Sequence, residues 1–395
     1  MNIFVPAMGR VNTQNRDGSE VRFAEIAKEW PAKRIQLHIM LPEREKRVLE
    51  GQGVKATYQP LRELIKSESH NFFNILGTYC IRLLQSCFVK YPASIDLIYV
   101  PSDFLIDLIP GVICKMKNRA AKLFVCFFLI APNPFRGYEN VYRKSFRLPS
   151  VRGMIYFLTQ RIAAAMVKKL KGKFFVLNSA DKQKIVSMGI RNEVVHIVSM
   201  GVNVSEYAKT APEANGAAYD AVFLGRMHPQ KGLFDLVKIW KIVCTKRPDS
   251  RLGIIGGGGE EWFDKLKNEI NASGVSENID ILGFKEGEEK IRILKSARCF
   301  VMPSHYESWG MVAVEAMASG LPVVAYDLPI FREIFSCGMI RVELGDIKGF
   351  AEAVLDLVSR PEYRKQLVEE SETFLKKFDW TSIAEGELQI LAANQ

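Results

Sequence analysis

Short apolar runs alternate with amphipathic segments over most of the chain. After the first run, Phe23, Ile26, Ala27 and Trp30 show the i, i+3, i+4, i+7 spacing of a helix with one buried side. Strand-like runs separated by such helices are typical of parallel α/β sheets. The strands predicted in the first half of the chain are 3–5, 36–40, 98–100, 123–129, 174–177 and 194–198.

The alternation pauses at 204–219, a stretch with Ser, Lys, Thr, Pro, Asn and Gly and little that could pack. We interpret this stretch as a linker between two domains. The pattern then resumes, and Leu233, Leu236, Val237 and Trp240 repeat the spacing of a one-sided helix. The strands predicted in the second half are 221–224, 252–255, 279–282, 299–302, 323–325 and 339–342.

The pattern as a whole predicts two parallel-sheet α/β domains, 1–203 and 220–378, with no detectable sequence repeat between them. A final helix at 379–395 has an apolar face that would cross back and dock on the first domain. The alternative is that this helix packs on its own domain. The residues of its apolar face are Ile383, Ala384, Leu388 and Leu391.

The segment 303–322 places a single carboxylate in an otherwise apolar helix. Residues 311–318 predict a helix that is buried on every side, and only Glu315 interrupts it. A buried carboxylate needs hydrogen-bond donors. Glu307 lies eight residues earlier, in the loop before the helix. Both glutamates are therefore candidate ligand-binding groups.

Two sets of residues predict a phosphate site. The backbone N–H groups of Trp309, Gly310 and Met311 lie at the start of the helix, where they favour an anion. Arg226 and Lys231 follow the first strand of the second domain, and two cations five residues apart can both reach a diphosphate. The structural alternative for Arg226 is an ion pair with an acid on a neighbouring strand end.

Glycines follow three strands of the second domain, where ligands of parallel sheets bind. Gly225 opens the loop that contains both cations, and Gly256 opens a run of four glycines that lets backbone approach a ligand. Gly283 and Phe284 would form an apolar shelf for a nucleobase, with Lys285 at the base edge or in solvent. The plainer alternatives are a flexible turn for the glycines, a solvated loop position for Glu307 and a structural role for His305.

Length and composition are consistent with two ordinary domains. The chain has 395 residues, of which 48% are hydrophobic. Met1 leads directly into a strand-like run, and the longest apolar run is too short to cross a bilayer, so we expect a soluble cytoplasmic protein without a signal peptide. The seven cysteines show no CxxC spacing, which favours reduced core residues over disulfides or zinc.

The net charge of +10 is concentrated in one segment. Residues 136–173 contain ten Lys or Arg and one acid, Glu139, with five interleaved aromatic residues, and Phe135 directly precedes them. This mixture suits an anionic membrane surface, so we expect a peripheral location on the inner face of the membrane. The alternative is a solvated basic face with core aromatics. Nucleic acid is disfavoured because no nucleic-acid-binding motif accompanies the charge.

These residues together resemble a known family. GRMHPQKG, the glycine-rich turn, LGF and YESWGMVAVEAMASGLPVV look like the nucleotide-sugar-binding domain of the retaining GT-B glycosyltransferases usually called family four. Glu307 and Glu315 match the E-x7-E signature of that class. The resemblance is strong over 221–342 and fainter in the first half, where 17–20 looks like the family's GG-type loop. It implies a GT-B fold, in which two Rossmann-like domains face a central cleft.

The resemblance also implies a role for each site residue. Arg226 and Lys231 would neutralise the donor's diphosphate without a metal or other cofactor, and Gly18 would approach the same phosphate from the first domain. Glu307 would accept hydrogen bonds from the transferred sugar, and Glu315 from the two ribose hydroxyls. The predicted activity is retaining transfer of a hexose from a nucleoside diphosphate to a glycan or lipid-linked acceptor.

The sequence departs from the family at two places. The loop after the strand at 123–129 lacks the histidine that the family often places near the sugar, and Ser308 and Trp309 replace smaller or different residues. Two other functions therefore stay open. The chain could hydrolyse or epimerise its nucleotide sugar without an acceptor, or bind the nucleotide sugar without catalysis.

Overall fold

The computed structural model describes residues 1–9, 18–64, 72–135, 150–211 and 218–393. The chain forms two compact units. The first unit comprises Met1–Met200 together with Trp380–Gln395, and the second comprises Gly201–Asp379. The C-terminal helix is thus part of the first unit, where it packs on the first helix of the chain.

The first unit is built on a seven-stranded sheet in which all paired strands are parallel. The strands are β1 Asn2–Pro6, β2 Gln36–Pro42, β3 Thr57–Leu61, β4 Leu97–Val100, β5 Lys122–Cys126, β6 Lys173–Val176 and β7 Val195–Ile197. Their order across the sheet is β3-β2-β1-β4-β5-β6-β7. The helices of this unit are α1 Gly18–Glu29, α2 Glu43–Gly51, α3 Phe72–Phe88, α4 Leu105–Lys117, α5 Val151–Lys169, α6 Ser179–Ser187 and, at the C-terminus, α15 Trp380–Ala393.

The second unit repeats this design with a six-stranded parallel sheet in the order β10-β9-β8-β11-β12-β13. Its strands are β8 Tyr219–Leu224, β9 Leu252–Ile255, β10 Ile279–Gly283, β11 Ala297–Met302, β12 Val323–Tyr326 and β13 Met339–Val342. Its helices are α7 Val204–Lys209, α8 Leu233–Lys246, α9 Glu260–Ser273, α10 Gly287–Lys295, α11 Met311–Ala318, α12 Pro329–Ile334, α13 Ile347–Ser359 and α14 Pro361–Leu375.

Helices on the sheets explain why most strands read as continuous apolar runs. All four residues of β4 and of β9 are buried, as expected for parallel strands that are covered on both faces. In α8, the side that carries Leu236, Val237 and Trp240 is fully buried, as the spacing predicts. The predicted α/β class with two Rossmann-like parallel sheets is therefore confirmed.

Three local predictions need correction. The strand predicted at 123–129 ends at Cys126, because its neighbour β6 ends at Val176 and only one further hydrogen bond, from Phe127 N to Phe175 O (2.7 Å), extends the pairing. The predicted linker 204–219 begins with α7, whose Tyr207 is buried in the second unit, and its residues 212–217 lie outside the described ranges. The cysteines are all free, but Cys80 and Cys87 are exposed on α3 and are not core residues.

Helix α11 is buried on one side only, not on every side as its composition predicts. Ala313, Val314, Ala316 and Met317 are buried, whereas Met311, Val312, Glu315 and Ala318 are partly exposed. The exposed positions recur at helical spacing and therefore form one face. Glu315 lies on that face, so it is reachable from outside the domain core.

In the ranges that the structure describes, no helix combines the length and the apolar character that a membrane span requires.

Candidate functional site

The predicted donor-binding residues of the second unit follow β8, β9, β10 and β11, at one edge of its sheet. β8 and β11 are neighbours, but the chain proceeds outward from β8 to β9 and β10, and outward from β11 to β12 and β13. The strand order therefore reverses between β8 and β11. In open α/β sheets, ligands bind beyond the carboxyl ends of the strands at such a point.

Lys231 and Glu307 meet at this point. Lys231 comes after β8 and Glu307 after β11, and Lys231 Nζ lies 2.5 Å from Glu307 Oε1. The same oxygen accepts a hydrogen bond from Ser304 Oγ (2.9 Å). Both charged side chains are mostly buried, with 17% of Lys231 and 9% of Glu307 exposed. The pair thus joins the cation predicted for a phosphate to the carboxylate predicted for a sugar, and the sequence predicts these two residues separately and not as partners.

Backbone contacts hold the two loops in register. His305 N donates to Gln230 O (2.9 Å), and Gln230 Nε2 donates to Tyr306 O (3.2 Å). Gly232 begins α8 with a φ of +71°, and a Cβ there would lie 1.8 Å from Pro303 O. Only glycine satisfies both demands. The glycine that closes the predicted GRMHPQKG loop therefore permits the close approach that brings Lys231 to Glu307.

His305 has the structural role that the sequence favours. Its Nε2 lies 2.8 Å from Asp235 Oδ2, which also accepts from the Tyr326 hydroxyl (3.1 Å). Burial alone raises the pKa of Asp235, but the hydrogen bond and charge of His305, with the Tyr326 hydroxyl, lower it below its usual value. This ionised group fixes the start of α8 to the loop after β11. The sequence gives no signal for Asp235, which is one polar residue on an amphipathic helix.

Arg226 is exposed and, within the described ranges, makes no ion pair. Its neighbour His228 accepts a hydrogen bond from Gln230 N at Nδ1 (3.2 Å). Burial together with the charges of Arg226 and Lys231 lowers the pKa of His228, so its ring is neutral and able to accept. The structural alternative for Arg226, an ion pair with an acid on a strand end, is not what the structure has.

The glycine-rich loops of the second unit lie side by side. Met227 N donates to Gly257 O, and Gly256 N donates to Gly283 O, each at 2.8 Å. The loops after β8, β9 and β10 are thereby linked through backbone alone. Phe284 follows the last of them and is 52% exposed. It is therefore available as the predicted shelf, whereas Lys285 pairs with Glu289 on α10.

Trp309 and Gly310 pack against buried aromatic rings at the start of α11. The Trp309 indole is 3% exposed and packs edge-on against Phe378 and Phe335. Gly310 precedes the helix with a φ of +103°, and a Cβ there would meet the Phe331 ring at 2.9 Å. The side chain of Trp309 is therefore part of the core, and its predicted contribution to a ligand is limited to its backbone.

Glu315 has a partner that the sequence does not predict. Lys290 Nζ of α10 lies 3.1 Å from Glu315 Oε1, and the two side chains are 19% and 17% exposed. The same ammonium lies over the ring of Tyr207, 5.8 Å from its centroid. Burial, followed by the charge of Glu315, raises the pKa of Tyr207 well above its usual value, so this phenol is neutral. The carboxylate is thus held but retains an accessible side.

In the first unit, Gly18 is the first residue of α1, directly after residues 10–17, which lie outside the described ranges. Its approach to the phosphate stays a prediction. The loop after β5, where the family histidine is missing, is fixed by Gln160 of α5. Its Oε1 accepts from Ala131 N (2.8 Å), and its Nε2 donates to Asp103 Oδ2 (2.6 Å) and Leu129 O (2.9 Å).

In the described part of the chain, no group of three or more His, Cys, Asp or Glu side chains is arranged to hold a metal ion. The predicted independence of metal and other cofactors stays a prediction.

Comparison with known proteins shows that the second unit is similar to a known sequence family. Residues 206–374 match the family model described as glycosyl transferases group 1. This match includes Arg226, Lys231, Glu307 and Glu315.

Two curated relatives extend beyond that region. The chain is 30% identical over 247 residues to a phosphatidyl-myo-inositol mannosyltransferase of Mycobacterium leprae, a match that covers 61% of this chain and 64% of that protein. It is 29% identical over 245 residues to an uncharacterized glycosyltransferase of Methanocaldococcus jannaschii, covering 58% of this chain and 66% of the relative. The chain therefore spans slightly less than two thirds of the length of these relatives.

A solved structure matches the whole chain. Anabaena HepE in complex with UDP-glucose has a TM-score of 0.72 to this chain at 17% identity, with 100% of both chains covered. The likeness confirms the GT-B fold that the sequence predicts.

Proposed function

We propose that the protein is a retaining glycosyltransferase that moves a hexose-type sugar from a nucleoside diphosphate to a glycan or lipid-linked acceptor. The observation that carries this proposal is the Lys231–Glu307 pair at the point where the strand order reverses. The pair supports the proposal because a nucleotide sugar needs a cation for its diphosphate next to a hydrogen-bond acceptor for its sugar.

The cations act on the leaving group. As the bond between the sugar and the diphosphate breaks, negative charge develops on the phosphate oxygens. Arg226 and the ammonium of Lys231 stabilise that charge electrostatically, and each charge-assisted hydrogen bond contributes about 1.5–3 kcal/mol. Arg226 is exposed and would bind the diphosphate from the solvent side. Lys231 is mostly buried and would bind it from the protein side.

The two glutamates bind the donor's hydroxyl groups. Glu307 accepts from the transferred sugar, and Ser304 and Lys231 hold its carboxylate in the required orientation. Glu315 accepts from the ribose on the exposed face of α11, and the base rests on Phe284. The backbone of Trp309, Gly310 and Met311 lies between the two carboxylates, where it meets sugar and phosphate.

Retention of configuration follows a front-face substitution in this proposal. The acceptor attacks from the side that the leaving diphosphate vacates, and a leaving phosphate oxygen takes the acceptor's proton. The protein's contribution is then to hold the two substrates and to stabilise the separated charges, with no protein nucleophile.

Two similar proteins support the proposed substrate classes. The Mycobacterium leprae relative is a mannosyltransferase that acts on phosphatidyl-myo-inositol, and HepE binds UDP-glucose. We infer a UDP- or GDP-sugar donor and an acceptor at or near a lipid surface. Contact with the inner face of the membrane through 136–173 belongs to the same proposal; residues 136–149 of this segment lie outside the described ranges.

Incubation with UDP- and GDP-sugars, with and without membrane extract, tests the proposal. Nucleotide release that requires the extract supports transfer. Release without an acceptor indicates a hydrolase or epimerase, and tight binding without turnover indicates a binding protein, which the missing histidine in the loop after β5 would permit.

Two variants test the assignment of the site in the same assay. Glu307→Gln should abolish turnover but leave binding of free UDP or GDP nearly intact, because it removes a sugar ligand. Lys231→Gln should weaken free diphosphate binding by about tenfold or more, since it removes a charge-assisted contact. Equal diphosphate affinity of Lys231→Gln and wild type in calorimetry would show that the phosphate lies elsewhere.

A further inference from the structure

Exposed large apolar side chains are concentrated in one part of the first unit. Of the thirteen found among the described residues, eleven lie between Leu64 and Ile162, and only Ile197 and Phe284 lie outside this range. Scattered single residues of this kind need no explanation, but a contiguous concentration marks an interaction surface. The three helices α3, α4 and α5 carry most of the eleven.

Helix α3 exposes an apolar stripe. From Asn74 to its last residue, the exposed positions are Leu76, Cys80, Leu84, Cys87 and Phe88, which recur at the spacing of one helix face. Leu84 is 62% and Phe88 is 88% exposed. A helix that covers a sheet normally presents polar residues to water, and here the outward side of α3 has none.

Helix α5 repeats this arrangement and adds charge. Its inner side, with Ala163, Ala164 and Val167, is buried, while Ile155, Leu158 and Ile162 are 41%, 51% and 51% exposed. The remaining exposed positions of α5 are Val151, Arg152, Arg161, Ala165, Lys168 and Lys169. The outer side of α5 is therefore apolar, flanked by cations and without an acid.

The two stripes belong to one helical layer. Helix α4 contacts both α3 and α5, and near its end it exposes 68% of Met116 beside the exposed Lys117. The acids of the three helices do not offset these cations, since Asp107 of α4 is buried and neither α3 nor α5 contains an acid. Glu63, which is exposed beside α3, lies 4.0 Å from Arg82 of that helix.

We propose that this layer is a membrane-docking face, defined by Leu76, Leu84 and Phe88 of α3 and Ile155, Leu158 and Ile162 of α5. The apolar stripes enter the interface of the bilayer, and Arg152, Arg161, Lys168 and Lys169 bind anionic headgroups. Amphipathic helices bind membranes through this combination of apolar area and positive charge. The face adds a second helix to 150–173, the described part of the basic segment. It deepens the membrane contact of the proposed function but does not depend on sugar transfer.

Charge favours a membrane over a second copy of the chain as the occupant. Two copies packed through this face would bring their cations together without intervening acids, and like charges across an interface are repulsive. An anionic bilayer neutralises the same cations while it covers the apolar stripes.

The test uses the full chain and vesicles of phosphatidylcholine, with and without phosphatidylglycerol, in sedimentation without donor. We expect binding to vesicles that contain phosphatidylglycerol, and weaker binding at high salt. Leu84→Ser with Phe88→Ser, and separately Ile155→Ser with Leu158→Ser, should each lower the affinity by about tenfold or more. Ile197→Ser, an exposed apolar position outside the face, is the matched control and should bind like wild type.

Circular dichroism of each variant shows that the fold is retained, which these exposed positions should allow. Arg152→Gln with Arg161→Gln should reduce the preference for phosphatidylglycerol. The proposal would be overturned if both serine variants bind vesicles as tightly as wild type does. It would also be overturned if binding depends neither on anionic lipid nor on salt. A dimer in light scattering that the serine variants dissociate would overturn it as well, because a second copy would then be the occupant.

Discussion

The carboxylate of Glu307 lies 2.5 Å from the ammonium of Lys231, so the cation that is predicted to bind phosphate already has a counter-ion. Because the pair is mostly buried, leaving either charge alone there would be costly. Pairing holds both side chains in place in the free protein. Under the proposed function, the diphosphate would approach an ammonium that Glu307 already pairs, so no free ammonium has to be desolvated.

The Glu315–Lys290 pair leads to a prediction about the ribose, which rests on the proposed function. Lys290→Met should free Glu315 to move, so that its contribution to ribose binding falls. We expect wild type to bind UDP or GDP about 10–100 times more tightly than the 2′-deoxy analogue, the range of a charge-assisted hydrogen bond. In Lys290→Met this ratio should approach one.

Calorimetry with the two nucleotides measures the ratio for each protein, and Lys290→Arg, which keeps the charge, is the control. An unchanged ratio in Lys290→Met would show that Lys290 does not position Glu315. A ratio of one already in wild type would place the ribose away from Glu315.

At the scale of single residues, the sequence offers candidate functional residues but does not predict their partners. Lys231, Glu307 and Glu315 follow strand ends or interrupt an apolar helix, and both signals are local. Their partnerships are not local, since 76 residues separate Lys231 from Glu307. Lys290 was missed because it is one of several charged residues on the amphipathic helix α10, where a solvated role is the ordinary expectation.

Among the helices, α15 and α1 of the first unit are joined by a buried ion pair. Arg22 of α1 is fully buried and bonds to Glu387 of α15. Its other donors reach Ser199 O (2.8 Å) and the Tyr99 hydroxyl (3.0 Å). Burial alone lowers the pKa of Arg22, but Glu387 raises it above its usual value. The pair therefore holds the C-terminal helix on the first unit.

Removal of Glu387 should release α15. Glu387→Gln leaves a buried guanidinium without its counter-ion, a loss of about 3–5 kcal/mol. Hydrogen–deuterium exchange of the α15 amides should accelerate by about a hundredfold or more if this helix opens locally. Glu385→Gln is the matched control. Glu385 also lies on α15, but its ion pair with Lys33 is exposed to solvent, so this variant should leave the exchange rate unchanged.

Replacement of both partners, Arg22→Met with Glu387→Met, should recover part of the protection because no unpaired charge remains. If the single and control variants exchange at the same rate, the ion pair does not anchor the helix.

Elements whose residues form a continuous or periodic apolar pattern were predictable from the sequence, and elements without such a pattern were not. All four residues of β4 and of β9 are buried and apolar or Gly, so their runs stood out. The strand β3, Thr57–Leu61, gives no clear signal in the sequence, because this edge strand contains Pro60 and is mostly not buried. The composition of α11 predicts a helix that is buried on every side. The exposure of its Glu315 face depends on the other elements that pack around the helix, and the sequence of the helix alone does not contain that information.

The two units share one design at the level of the whole molecule. In each, the strand order reverses beside the first strand, between β1 and β4 in the first unit and between β8 and β11 in the second. The corresponding edge of the first unit holds Asp107, which accepts from Met8 N (2.6 Å) and Gly9 N (2.8 Å). The repeated architecture is predictable without a sequence repeat, because the order of apolar runs along the chain indicates two similar α/β domains.

The buried carboxyls at that edge make the stability of the whole molecule depend on pH. Burial raises the pKa of Asp103 from 3.8 to about 6, despite the hydrogen bond from Gln160. The folded protein therefore keeps this proton to a higher pH than the unfolded chain does. The free energy of unfolding must then fall as pH rises from about 4 to about 6, by roughly 2–3 kcal/mol for this carboxyl.

Asp103→Asn should remove that dependence, since Asn still accepts from Gln160 but cannot ionise. Denaturant unfolding between pH 4 and pH 7 should find the variant about as stable as wild type at the acid end and roughly 2–3 kcal/mol more stable at pH 7. Asp249→Asn, at an exposed carboxyl, controls for the change in net charge. A difference between Asp103→Asn and wild type that is constant over this range would mean that Asp103 is ionised throughout, with Gln160 and Tyr156 compensating for its burial.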